Sequence, residues 1–306
     1  MHKRGQWRLI VTFTVPGLVL YTVFVLSSFA QGVQISFTDW TGFTPDLNYI
    51  GFDNYLRLVH DGSWWRSVLH NGILLVVIPV LTLGLAMLFA SLITRGGAGN
   101  LRATPGGDLY RILFFFPQVV PVVIIGILFS YLYASRGGLL QGVLDVVGLD
   151  MLSIVPNGPL GNPRTILLAI AVAAVWSSVG FYMVLFLSAM GRVPDELYEA
   201  AALDGAGRLG SFVHVTMPLI WAHVQTAFIY LAIGTIDSFA LVAVMSQTGA
   251  AADFGADVMS TYLYRTAFSL NSQFGYAATM GTVMMIGSVA LALVTFRLTK
   301  REEYEY

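Results

Sequence analysis

The chain has 306 residues, 56% of them hydrophobic and only 11% charged, with a formal net charge of −1. A soluble globular domain carries about 25% charged residues, so most of this surface faces something other than water. The near-neutral balance gives no electrostatic case for a nucleic-acid partner, and the lack of cysteine excludes disulfides, thiolate metal sites and a cysteine nucleophile.

Six apolar runs can each supply the ~20 residues that a membrane-crossing helix needs. They cover about residues 9–29, 72–93, 112–133, 166–190, 219–245 and 276–296. None alternates as barrel strands do, and lipid offers no partner to open backbone groups. The predicted fold is therefore an all-α membrane protein, a six-transmembrane-helix bundle forming a single domain over 1–306.

Lys3, Arg4 and Arg8 precede the first run. That run is longer than the ~7–15 apolar residues of a signal peptide, and it reads as a retained span. The segment Gln31–Asn71 is expected to be an outer loop containing Asp39, Asp46, Asp53 and Asp61, with Trp40, Trp64 and Trp65 near its ends. It reads as a solvated loop with tryptophans at the bilayer interface, the alternative being a partner-binding surface. The connection from Thr94 to Tyr110 is glycine-rich, with RGGAGN and TPGG. A phosphate-cradling loop needs GxxxxGK[ST]. The two lysines, Lys3 and Lys300, follow no such glycines, so the connection is read as a flexible link.

Pro117 and Pro121 flank Gln118 in the third run and mark an irregular helix. In the second outer loop, Leu139, Leu140, Val143, Leu144, Val146 and Val147 recur at helical spacing. They predict a short amphipathic helix at the interface. PNGPLGNP, from Pro156 to Pro163, then forms a turn region.

The most informative stretch, Glu199 to Pro218, lies between the fourth and fifth runs. Pro194 suits a first helical turn, and Asp195, Glu196 and Glu199 place negative charge near its positive end. Leu197, Ala200 and Ala201 fall at i, i+3 and i+4 and predict a small apolar face. Gly205 is expected to end this helix at the C′ position. Arg208–Val215 then starts a second helix that turns into the fifth span at Pro218.

Basic residues orient the bundle. The side holding both termini collects Lys3, Arg4, Arg8, Arg95, Arg102, Arg111, Arg192, Arg208, Arg297, Lys300 and Arg301, eleven of the sixteen. The other side has Arg57, Arg66, Arg136, Arg164 and Arg265. Both termini and the Glu199 loop are thus expected in the cytoplasm, in a multi-pass protein of a bacterial plasma membrane.

Glu199-Ala200-Ala201, three residues, Gly205, nine residues, then Val215-Thr216-Met217-Pro218 resembles the signature of permease subunits of binding-protein-dependent ABC importers. That signature ends I-x-L-P, so valine and methionine are mild departures. VPDELYEAAALDGA and IGFDNYLRLV are similar to the sugar-importing branch, the maltose and glycerol-3-phosphate type. The resemblance implies the ABC importer permease fold, with cytoplasmic coupling helices over 192–217 that fit a cleft in a separate ATPase. Glu199, Ala200, Ala201 and Gly205, with Glu196 and Asp204 beside them, would form the ATPase-docking site. It implies an ATPase dimer, a second and different permease subunit, an extracytoplasmic solute-binding protein and membrane lipid as partners. This chain would bind no cofactor or metal and catalyse nothing itself, with ATP and Mg on the partner ATPase.

For the cargo path, Thr226, Tyr230 and Asp237 lie on one face of the fifth helix, with Ser238 adjacent. Asp237 is 19 residues past Pro218, ~28 Å along a straight helix, which puts it near the outer end. It reads either as lining the path or as a structural or gating polar contact. Trp176 and Tyr182 in the fourth run are candidates for stacking on a sugar ring, while Ser177, Ser178 and Gly180 also suit helix packing. WSSVGFYMVLFLSAM and IDSFALVAVM resemble permeases for amino sugars or chitin oligosaccharides. Two other classes compete. An ion-driven transporter or channel should show buried ionisable residues on several spans, and here Asp237 is the one candidate. An intramembrane enzyme needs a paired reacting centre, which nearly charge-free spans do not provide.

Overall fold

The computed structural model describes residues 3–43, 47–95, 102–103, 107–246, 256–268 and 272–298. Asp46, Lys300, Arg301 and most of the RGGAGN and TPGG runs lie outside the described residues. Among the described residues, four helices are long and apolar enough to cross a membrane: Ile10–Ile35, Gly62–Ile93, Ile166–Met190 and Phe274–Thr295. Two bent pairs raise this to six if each counts as one span: Leu109–Val119 with Val122–Leu132, and Arg208–Leu219 with Trp221–Ile236. The described residues cluster into two compact units, within Met1–Trp64 plus Tyr262–Gly287 and within Trp65–Thr261 plus Ser288–Tyr306.

In the first unit, the expected outer loop is largely folded. Helix Asp53–Val59 sits inside it, and Thr38 bridges to Tyr49. Buried Asn54 donates to the carbonyls of Ser36 at 3.0 Å and Thr38 at 2.8 Å. Thr279 Oγ1 donates to the same Ser36 carbonyl, and Trp40 packs on Phe274 with ring centroids 5.6 Å apart. Apolar periodicity missed this because the loop is held by side chain-to-backbone hydrogen bonds rather than by a hydrophobic stripe. Trp64, expected at the bilayer interface, is buried instead.

The second span starts at Gly62, ten residues before the expected Gly72. Asp61 explains the difference. Its Oδ1 accepts from the amides of Ser63 (2.9 Å) and Trp64 (3.2 Å), the geometry of an N-cap. Its Oδ2 accepts from the Tyr262 and Tyr276 hydroxyls, each at 2.7 Å. The Arg57 guanidinium lies 4.0 Å from the centre of the Tyr276 ring. Partial burial works against the Asp61 charge, but bonds from Tyr276, Tyr262, Trp64 and Ser63 outweigh it and hold the carboxyl below its ordinary value. Burial and Asp61 together push the Tyr262 phenol up to about 12. A depressed carboxylate contributes stability above its unfolded pKa, and that stability is lost as pH falls through the folded value. Thermal melting of the detergent-purified protein should therefore fall on acidification below about pH 3.8, the ordinary carboxylate value. An Asp61→Asn variant should start from a lower melting temperature and lose less of it over that interval. Equal acid slopes in the two proteins would refute the role given to Asp61.

In the second unit, Ile166–Met190 is the central helix, with Ile166, Ile170, Met183 and Phe186 fully buried. Helix Gly107–Val119 crosses it where Gly180 meets the Phe114 backbone. The third span bends by 96° between Val119 and Val122. Pro121 is extended there (φ −54°, ψ 134°) and has no N–H to continue the ladder. The fifth bends by 70° at Ile220 (φ −93°, ψ 5°) and stops at Ile236 rather than running on to Met245. Residues Phe239–Ser246 form a separate helix beside Val122–Leu132, where Gly126 faces Val244. The glycine-rich link is pinned at its ends by a two-residue antiparallel pair, Thr94–Arg95 with Arg102–Ala103. The expected amphipathic helix is present at Leu139–Val146, with Leu139, Val143, Val146 and Val147 exposed.

Candidate functional site

The Glu199 loop folds as two short helical segments around a glycine. Pro194 is extended (φ −60°, ψ 134°) and opens helix Asp195–Leu203, with Asp195 and Glu196 in its first turn. Gly205 has φ +80°. Its amide bonds to the Ala202 carbonyl (3.0 Å), and the Ala206 amide bonds to the Ala201 carbonyl (2.9 Å). This pair of bonds is a Schellman cap. A side chain at Gly205 would meet nothing within 4 Å, so the backbone conformation, not crowding, calls for glycine.

After the turn, helix Arg208–Ser211 passes through a π-helical stretch, Phe212–Thr216, into Met217–Leu219. Tyr198 anchors the first helix to this base. It is buried, and its hydroxyl lies 2.9 Å from Thr216 Oγ1. Burial raises the phenol above its ordinary value and keeps it neutral, against the Thr216 bond, which acts to lower it.

The anchored face is Leu197, Tyr198 and Ala201, of which Leu197 packs against the core. The free face is Glu196, Glu199, Ala200 and Leu203, all exposed, at i, i+3, i+4 and i+7. The expected apolar face is thus split. Leu197 and Ala201 turn inward, while Ala200 turns outward with the acids. Leu203 is 89% exposed and Leu209, across the turn, is 75% exposed. Neither was singled out by sequence reasoning. The signal was there: two leucines flank a glycine turn in a polar loop, and Leu203 continues the Glu196–Ala200 stripe. Asp204 is the exposed C-cap residue.

The six pathway candidates do not share one surface. Tyr230 is 72% exposed, and Thr226 and Asp237 are exposed too. Thr226 Oγ1 donates to the Ala222 carbonyl of its own helix. Asp237 caps the C-terminus of Trp221–Ile236. Ser238 Oγ is buried without a hydrogen-bond partner among the described residues. Trp176 is exposed on one side and packs on Phe129 at 5.5 Å. Tyr182 is only 4% exposed and sits edge-on to Phe181, so its ring is committed to the core. Asp237 is also not ~28 Å from Pro218 along a straight helix. The 70° bend leaves a run of 16 residues, ~24 Å long. A cavity of about 820 Å³ lies elsewhere, bounded by Ser130, Tyr133, Arg136, Asn157, Leu160 and Val244, and none of the six lines it.

These features define a polytopic helical membrane protein with a capped loop between its fourth and fifth spans. The chain belongs to the family described as binding-protein-dependent transport system inner membrane component, which matches residues 88–303. It is 39% identical over 285 residues to the diacetylchitobiose uptake system permease protein NgcF of Streptomyces coelicolor, covering 92% of this chain and 80% of that one. It is 32% identical to the probable ABC transporter permease protein YurN of Bacillus subtilis, over 96% of each. Its fold matches a chain of a bacterial alginate ABC transporter crystallised with a pentasaccharide-bound periplasmic protein. The TM-score is 0.80 at 19% identity, over 98% of this chain and 96% of that one. It is a multi-pass inner-membrane transport subunit.

Proposed function

We propose that this chain is one of two permease subunits of an ATP-driven importer, moving a sugar delivered by an extracytoplasmic binding protein. The carrying observation is the exposed face Glu196–Glu199–Ala200–Leu203, closed by the Gly205 cap on a loop rigidly tied to the fifth span through Tyr198 and Thr216. Exposed Leu203 and Leu209, flanking the glycine turn beside acids on a short, anchored helix, suit a protein cleft better than water. Both termini and this loop lie in the cytoplasm, a placement supported by the eleven basic residues assigned to that side. ATP and Mg bind the partner ATPase dimer and not this chain. Closure of that dimer moves the anchored helix as a rigid lever.

The cargo is an N-acetylated amino-sugar oligosaccharide. Support comes from the 39% identity to a diacetylchitobiose permease and from the WSSVGFYMVLFLSAM and IDSFALVAVM stretches. The exposed Thr226, Tyr230 and Asp237 on the fifth helix offer the hydroxyl, ring and carboxylate that line its path. In proteoliposomes holding the assembled importer and its binding protein, excess diacetylchitobiose should block uptake of labelled chitin oligosaccharide at least ten-fold. Maltose and lactose at the same concentration should leave it unchanged. Equal competition by all three would refute this cargo class and leave the ATP-driven mechanism standing.

A further inference from the structure

Sequence patterning leaves Asn71 as the last residue of an outer loop. The structure places it inside helix Gly62–Ile93, nine residues from the start, with 3% exposure. That is ~14 Å along a helix of ~48 Å. A centred helix of that length puts Asn71 within the ~30 Å hydrocarbon core. A carboxamide buried there must be hydrogen-bonded.

All three of its bonds leave its own helix. Asn71 Nδ2 donates to the carbonyls of Thr235 (3.2 Å) and Ile236 (3.4 Å). These are the last carbonyls of Trp221–Ile236, and no amide of that helix can reach them. Asn71 Oδ1 accepts from the Met259 amide at 2.7 Å. Met259 is the first residue of helix Met259–Phe268, where the amide likewise lacks a helical partner. Next to it, His70 Nδ1 donates to the Asp257 carbonyl at 2.8 Å. One side chain thus closes two helix ends that lie 164 and 188 residues away in sequence. Among neutral side chains of this size, a carboxamide offers both donors and an acceptor.

The helix end that Asn71 holds is where the fifth span stops, immediately before Asp237 and Ser238. Transporters place broken helices at the cargo path, and such breaks persist only where their freed backbone groups are satisfied. We infer that Asn71 is a positioning residue for transport: it fixes the break in the fifth helix and thereby sets the location of Asp237 and Ser238. This rests on the reading of the chain as a transport subunit.

The test compares Asn71→Asp with the unmodified residue in the assembled complex. Aspartate keeps the volume and the acceptor for Met259. It removes the donor and sets a carboxylate against two carbonyls. A Ser238→Cys reporter is unique, because the chain has no cysteine. A Ser153→Cys reporter, exposed in the second outer loop, serves as control. With Asn71 intact, the half-buried Ser238 position, whose Oγ is enclosed, should react slowly with a membrane-impermeant maleimide. Asn71→Asp should speed that reaction at least ten-fold and lower ATP-driven uptake at least ten-fold. The Ser153→Cys reaction and the amount of co-purified ATPase should stay unchanged. Unchanged reporter kinetics with full uptake would overturn the inference. Loss of ATPase association would also overturn it, by showing a purely architectural role; Asn71→Ser, smaller and uncharged, is run alongside to exclude a charge artefact in that case. If the complex with Asn71 intact shows no ATP-driven uptake at all, the transport reading itself fails, whatever the maleimide kinetics.

Discussion

A Gly205→Val variant should reach the membrane in normal amount and co-purify with less than a tenth of the ATPase that the unmodified chain retains, while Gly205→Asn keeps most of it. The contrast follows from the backbone. Gly205 sits at φ +80° with open space around its Cα, so added bulk collides with nothing. A β-branched residue strongly disfavours positive φ, at about 1–3 kcal/mol, whereas asparagine visits that region readily. Valine would release the bonds from Gly205 and Ala206 to Ala202 and Ala201 and let the end of the helix fray. Leu203 and Leu209 would then lose their fixed spacing. Glu199→Arg should give a similar loss by another route. It reverses the central charge of the exposed face and leaves the cap intact. Pull-down of the ATPase by tagged variants, normalised to membrane insertion, reads both. Gly205→Val at full association would remove the loop from the docking role.

Gly180→Leu should abolish recovery of folded protein. Gly180 lies on the buried face of Ile166–Met190, and any Cβ there would collide with the Phe114 carbonyl of the crossing helix. Backbone cannot rotate away as a side chain can. Overpacking in cores costs about 1–3 kcal/mol when neighbours adjust, and here the two helices must separate. Small residues at such crossings let membrane helices approach closely. Size-exclusion profiles in detergent should show aggregate in place of the monodisperse peak. Gly287→Leu on the last span, where a Cβ meets nothing within 4 Å, should leave the profile unchanged. Equal tolerance of both substitutions would refute the packing account.

The apolar runs announced the membrane helices well, because ~20 uncharged residues have few other destinations. Their ends were less legible. Asp61 starts the second span early by capping the Ser63 and Trp64 amides, a local signal that the apolar window overlooked, while the tyrosines that hold it, Tyr262 and Tyr276, lie some two hundred residues distant. The bends at Pro121 and Ile220 had unequal signals. Proline sits at the first, whereas at the second Pro218 marks the expected turn two residues early and Ile220 itself reads as an ordinary apolar residue. In the Glu199 loop, proline, acids and glycine announced both helix ends. The orientation of Leu197 against Ala200 depended on the Tyr198 anchor, which becomes visible only once Thr216 is beside it. Asn71 was illegible for the same reason. Its partners are backbone groups, and those carry no sequence signature.

The most direct test of the central claim is cargo uptake by proteoliposomes containing this chain, its second permease and the ATPase, with the binding protein outside. Uptake should require ATP on the ATPase side and loaded binding protein on the other, and it should persist when proton and sodium gradients are collapsed. Uptake driven by an imposed ion gradient without ATP would contradict the account and identify an ion-coupled carrier instead.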